Sequence, residues 1–191
     1  MWVIYMKKVY NLKVAGLERD LQLFPVNDSL KIAAFILFGD VELTECCARA
    51  LLKKAPEHDI MITAEAKSIP LIYEMARQSG QNNYVIARKG PKVYMEDIIS
   101  TEVDSITTAA TQKLFLGKKE KEALCGKRVL IVDDVISTGE SLQALEKLVE
   151  LAGGNIVGKM AVLAEGDAIA RHDITVLEPL PLFDAEGNPL A

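Results

Sequence analysis

Two adjacent carboxylates, Asp133 and Asp134, follow the apolar run Val129-Leu130-Ile131-Val132 and lead into the small-residue loop Val135-Ile136-Ser137-Thr138-Gly139-Glu140-Ser141. Neighbouring acids beside an anion pocket would repel a ligand unless they accept hydrogen bonds from hydroxyls or face a hard cation. A sugar diol together with Mg²⁺ meets both demands. The loop offers a second chemistry. Ser137 and Thr138 supply hydroxyls, Gly139 lets the backbone approach a ligand closely, and the amides through Glu140 and Ser141 open a helix. A helix N-terminus carries about half a unit of positive charge and so favours an anion. The stretch reads as a turn that binds phosphate and sugar. Taken alone, Asp-Asp after a strand also fits a buried strand ending in solvated aspartates, as in response regulators or dinucleotide-binding sheets.

The elements around these residues must present them at one edge. A β-branched run bounded by charge is what a parallel strand buried on both faces looks like, so residues 128 to 132 are predicted as a strand. Leu142, Leu145, Leu148 and Val149 then share one face of a helix from Ser141 onward. The same alternation recurs along the chain. Residues 9 to 14 and 21 to 26 alternate apolar and polar types and suggest two strands of a small hood, mainly within residues 1–40. A helix over 43 to 55 is stopped by Pro56, and a short strand over 59 to 63 precedes a helix over 69 to 78 with Pro70 in its first turn. Strands over 84 to 87, 156 to 163 and 174 to 177 complete the pattern, with Gly153-Gly154 as the intervening turn. Strands alternating with helices predict a doubly wound α/β fold with a mostly parallel sheet: one domain over residues 1–191, its core at about 41–180.

Two further strand ends carry cations. The loop Ala64-Glu65-Ala66-Lys67-Ser68 joins a strand to a helix, the arrangement that aims backbone amides at an anion. Arg88-Lys89 follows another strand and precedes Gly90-Pro91. The segment from Val93 to Phe115 is polar, Thr-rich and weakly periodic, which is long for a loop inside a compact domain and points to function.

The whole pattern of apolar strand, two acids, two variable residues and Ser-Thr-Gly resembles the signature of the type I phosphoribosyltransferases, and the similarity covers roughly residues 28 to 165. The resemblance implies that 5-phosphoribosyl-1-diphosphate is the ligand. Asp133 and Asp134 would then take the ribose hydroxyls, and residues Ser137, Thr138, Gly139, Glu140 and Ser141 the 5′-phosphate. Ala66, Lys67 and Ser68, with Arg88 and Lys89, would serve the pyrophosphate. Ser68 stands where the family commonly has glycine, so any strained backbone there must tolerate a side chain. Asp104, Ser105 and Thr107 fall where the family has a flexible hairpin that closes over the site and excludes water. Mg²⁺ is the implied cofactor, carried by the diphosphate with Asp133 as its possible protein ligand. The purine would sit between a hood residue, Phe35 or Phe38, and Val135. Spacing from Ala87 to Thr107 is closest to the xanthine enzymes. Ser-Thr-Gly is nearer the adenine enzymes, whose Glu-Tyr pair is replaced here by Thr107-Thr108, and both bases stay open. A homodimer is implied by resemblance alone.

Bulk properties trim the alternatives. The net charge of −5 argues against a nucleic-acid surface. No apolar run approaches the ~20 residues that span a bilayer. Residues Met1 to Met6 are apolar, but their lysines follow rather than precede them, which is not the order of a secretory signal, so a cytoplasmic protein is expected. Cys46, Cys47 and Cys125 show no metal-ligand spacing. A non-catalytic sensor of phosphoribosyl diphosphate is the alternative of the same fold, though such regulators usually add a DNA-binding domain and a basic face. A dehydrogenase would need a G-x-G-x-x-G after a strand, which is missing.

Overall fold

The structure, a computed structural model, describes residues 9–103 and 112–190. β1 (Val9–Val14) and β2 (Leu17–Pro25) form an antiparallel hairpin, and β3 (Lys31–Ala33) pairs with the end of β2. Alternation sets their register: Leu12, Val14, Leu21 and Leu23 are buried, while Lys13 and Gln22 face solvent. β2 starts four residues before the predicted Leu21, because Leu17 pairs with Val14 across the turn. β3 is too short to show a period in sequence. Phe183 returns to this hood, bridging Lys31 through the backbone and meeting the Tyr10 ring edge-on at 5.2 Å. The hood thus draws on the C-terminal segment as well as on residues before 40.

α1 (Val41–Leu52) begins where the Asp40 carboxylate accepts a hydrogen bond from the Leu43 amide, and it turns Leu43, Cys47, Ala48 and Leu51 inward. Loss of such a cap typically costs about 1 kcal/mol. Next come β4 (Ile60–Ala64), α2 (Ile69–Ser79) and β5 (Val85–Ala87). β6 (Ile99–Val103) and β7 (Gln112–Leu116) form an antiparallel hairpin inside the segment that read as polar loop. The positions Asp104, Ser105, Thr107 and Thr108 lie outside the described residues. α3 (Lys118–Leu124) escaped sequence reading because only Leu124 is buried, leaving no apolar stripe. β8 (Arg128–Ile136), α4 (Glu140–Leu151), β9 (Asn155–Glu165) and β10 (Thr175–Leu180) follow.

Five parallel strands form the main sheet, in the order β10-β9-β8-β4-β5. Leu130 and Val132 of β8 pack towards α1, α2 and the hood, and Val129 and Ile131 towards α4 and the β7 residues Leu114 and Leu116. A fully buried Leu or Ile contributes roughly 1.5–3 kcal/mol relative to an exposed one, so β8 anchors both layers. The chain leaves β4 through α2 to one side and leaves β8 through α4 to the other. The crevice between the carboxyl ends of β4 and β8 is therefore the switch point at which open α/β sheets bind ligands. No helix among the described residues is long and apolar enough to cross a membrane. Of the free cysteines, Cys47 is the one in the core.

Candidate active site

The acid pair does not follow the strand at Val132, as the sequence suggested; it lies within it. β8 continues to Ile136, held by pairing of Asp133, Val135 and Ile136 with Ala161, Leu163 and Ala164 of β9. Both carboxylates are consequently buried, Asp133 to 9% exposure and Asp134 to 4%. Burying charge is costly unless it is paired, and the site shows how far each acid is paired. One oxygen of Asp133 accepts a hydrogen bond from the Asp134 amide at 2.9 Å, and Ser68 is its hydroxyl neighbour. Burial, and after it the adjacent Asp134 charge, still pushes the Asp133 carboxyl up to about 7. Asp134 Oδ2 lies 3.0 Å from Lys67 Nζ, an ion pair without hydrogen-bond alignment, so this buried oxygen has no aligned donor among the described residues.

The loop after β4 thus supplies a partner to each acid, Ser68 to Asp133 and Lys67 to Asp134. Ser68 is buried and its Oγ sits 2.6 Å from Thr63 Oγ1. Its backbone is ordinary right-handed helical, φ −82°, so the side chain in place of the family's glycine meets no strain at that position. The preceding Glu65–Ala66 peptide is cis.

Arg88 and Lys89 end β5 beside the same loop. The Glu65 carboxylate accepts from Arg88 Nη1 at 3.2 Å and from the Lys89 amide at 3.1 Å. The Lys89 amide, then the Arg88 and Lys92 charges, hold Glu65 below the usual glutamate range. Arg88 also donates to the Tyr94 hydroxyl at 3.4 Å, and its backbone pairs with Phe115 of β7. Sequence reasoning passed over Glu65, Thr63 and Tyr94. For Glu65 a signal existed, since a carboxylate in an otherwise anion-binding loop demands a cation.

Across the switch point, Asp133 and residues Val135 to Leu142 line a small hollow at the start of α4. Gly139 is left-handed, φ +82°, and caps the helix. That φ strains any side chain, and a Cβ built there would also lie 2.7 Å from Arg171 Nη1, so glycine suits the turn. The predicted loop residues Ser137, Thr138, Gly139, Glu140 and Ser141 are brought together around this hollow. Of the two hood rings, Phe35 is buried in the core and presents no face to a ligand, while Phe38 is half exposed. Val135 is partly buried.

A family model for the phosphoribosyl transferase domain matches residues 44–182. An adenine phosphoribosyltransferase of Rhodococcus jostii is 32% identical over 146 residues, covering 74% of this chain and 80% of that protein. A xanthine phosphoribosyltransferase of Clostridioides difficile is 28% identical, covering 85% of this chain and 88% of its own. The crystal structure of an adenine phosphoribosyltransferase from Thermoanaerobacter pseudethanolicus superposes with a TM-score of 0.69 at 24% identity, covering 83% of this chain and 95% of that one. The matched span runs from α1 through β10 and takes in all three loops of the crevice. This chain belongs to the phosphoribosyl transferase domain family.

Proposed function

We propose that the protein is a purine phosphoribosyltransferase, moving the phosphoribosyl group of 5-phosphoribosyl-1-diphosphate onto a purine base and releasing pyrophosphate in nucleotide salvage. The observation that carries this is the buried acid pair at the switch point, one of its oxygens lacking an aligned donor among the described residues, between the hollow at the start of α4 and the loop ends that carry Lys67, Arg88 and Lys89. The ribose hydroxyls would donate to Asp133 and Asp134. The amides from Ser137 to Ser141 would hold the 5′-phosphate. Lys67 and Arg88 would exchange their present carboxylate partners for the diphosphate, and the Lys89 ammonium would join them. As the bond from C1 to the diphosphate breaks and a base nitrogen attacks, positive charge builds on the sugar. Two fixed carboxylates beside it stabilise that charge without reorganising, the kind of contribution that dominates many enzymatic rates.

No group of three or more metal-ligating side chains exists among the described residues. The acid pair suits an ion held mainly by diphosphate oxygens, with Asp133 as the side chain in reach. Mg²⁺ bound so would neutralise the leaving group. Phe38 and Val135 are the surfaces offered to the base, and relatives named for adenine and for xanthine support a purine of either type. We place the protein in the cytoplasm on the residue order from Met1 to Met6, and as a homodimer on resemblance alone; sedimentation analysis tests the second point. The functional test is pyrophosphate release from 5-phosphoribosyl-1-diphosphate and Mg²⁺ with adenine, xanthine, hypoxanthine and guanine in turn. Release with one or more bases is expected and names the acceptor. Binding without release would favour a sensor.

A further inference from the structure

One cation at the crevice has no place in the scheme above. Arg171 follows the 3₁₀ turn Gly166–Ala170 after β9, and Asp173 grips its guanidinium through Nε at 2.9 Å and Nη2 at 2.7 Å. That fork uses two of the three nitrogens. The third, Nη1, makes no hydrogen bond among the described residues and is the atom that closes on Gly139, 2.7 Å from where a Cβ would stand. Asp173 is itself held by Lys159 Nζ, which also reaches Glu146 of α4 at 2.6 Å. Arg171, Asp173, Lys159 and Glu146 therefore form one chain of ion pairs running from the segment after β9 back to the helix that the hollow opens. The side chains of Arg171, Lys159 and Glu146 are about a quarter or less exposed, while Asp173, which joins the two cations, is half exposed, so geometry rather than burial holds the chain together.

We infer that Arg171 is a positioning residue for the 5′-phosphate. Its clamped guanidinium buttresses the left-handed turn at Gly139 from outside the hollow, and so sets the directions of the amides that meet a phosphate monoester. Charge is not its main contribution, because two cations and two anions cancel within the chain. Shape is. The turn has a residue with φ +82° and no side chain at its apex, and a bidentate arginine is stiff enough to hold it where a lysine would not be. This rests on the reading that residues 137–141 bind the 5′-phosphate.

The test uses initial rates with wild type, Arg171→Met and Arg171→Lys, each checked for its melting temperature, and with ribose 5-phosphate and pyrophosphate as separate competitors. Arg171→Met should raise KM for 5-phosphoribosyl-1-diphosphate about 10-fold, the effect of one or two hydrogen bonds to a charged group, with kcat changed less than about 3-fold. It should weaken inhibition by ribose 5-phosphate by a similar factor and leave inhibition by pyrophosphate unchanged. Arg171→Lys should fall between the two, and carries the test if the methionine variant fails to fold. Equal inhibition of wild type and variants by ribose 5-phosphate would overturn the inference while leaving the function intact. A wild type that releases no pyrophosphate and is indifferent to ribose 5-phosphate would instead overturn the functional reading, and the inference with it.

Discussion

The two sides of the crevice meet the same ligand with opposite preparation. On the β8 side the acids are buried in a strand that is paired on both edges, and one of their oxygens lacks an aligned donor. On the β4–β5 side two cations are partly exposed and already partnered, Arg88 with Glu65, which also accepts from the Lys89 amide, and Lys67 with Asp134. A ligand therefore completes the first side and must displace partners on the second. Preorganised groups raise rate because nothing moves when charge develops, whereas exchangeable ones set how tightly the diphosphate is held. Substitutions on the two sides should separate accordingly, into kcat on one and KM on the other.

The sharpest break is Asp134→Asn. It keeps the volume and removes the charge, so transferase rate should fall by about 10²–10³-fold, the scale for losing one preorganised electrostatic group, with melting temperature and circular dichroism preserved. Full activity in that variant would refute the role given to β8. On the opposite side, Glu65→Ala removes the acceptor shared by Arg88 and Lys89. KM for 5-phosphoribosyl-1-diphosphate should fall about 10-fold with kcat nearly constant, because the diphosphate no longer has to displace Glu65, the scale of one to two charged hydrogen bonds. A kcat loss equal to that of Asp134→Asn would erase the distinction between the sides.

Asp133 sharpens the comparison through pH. Its folded-state value is raised from 3.8 to about 7, so the buried carboxyl is neutral in mild acid and charged above. The stability that goes with the neutral form is present below the unfolded value and is lost as pH rises through the folded one. Asp133→Asn should therefore raise the melting temperature at pH 8 and change it little at pH 4. In activity, kcat/KM of wild type should rise with pH through an apparent value near 7, when the carboxylate becomes able to accept from the ribose hydroxyls. The variant should lack that limb. The smallest effect belongs to the hood: Phe38→Ala should raise KM for the base about 3-fold or more, as loss of one aromatic contact allows, and leave KM for the diphosphate substrate alone.

What could be read in the sequence divides along physical lines. The sheet strands and long helices were legible because burial writes a period into them: β8 is apolar throughout Val129 to Val132, and α4 carries its stripe from Leu142 to Val149. The signature was legible because phosphate and sugar demand particular residue types in adjacent positions. Elements held by pairing rather than burial were not, such as β3 with three residues and the charged α3. The extension of β8 through the acid pair was hidden as well, since two aspartates look like the end of a strand until Ala161 and Leu163 are seen beside them. Phe35 and Phe38 were indistinguishable as letters; only packing puts the first in the core and the second at the surface. For Glu65 the residue type hinted at a cation partner but spacing did not say which, and the approach of Arg171 to Gly139, 32 residues earlier, left no trace in the sequence.

The most direct test of the account is the stoichiometry of a single reaction: wild-type protein with 5-phosphoribosyl-1-diphosphate, Mg²⁺ and the preferred purine, followed by simultaneous measurement of pyrophosphate and nucleoside 5′-monophosphate. The account predicts equal amounts of the two, formed only when the base is present. Pyrophosphate released at the same rate without a base, with ribose 5-phosphate as the other product, would contradict it.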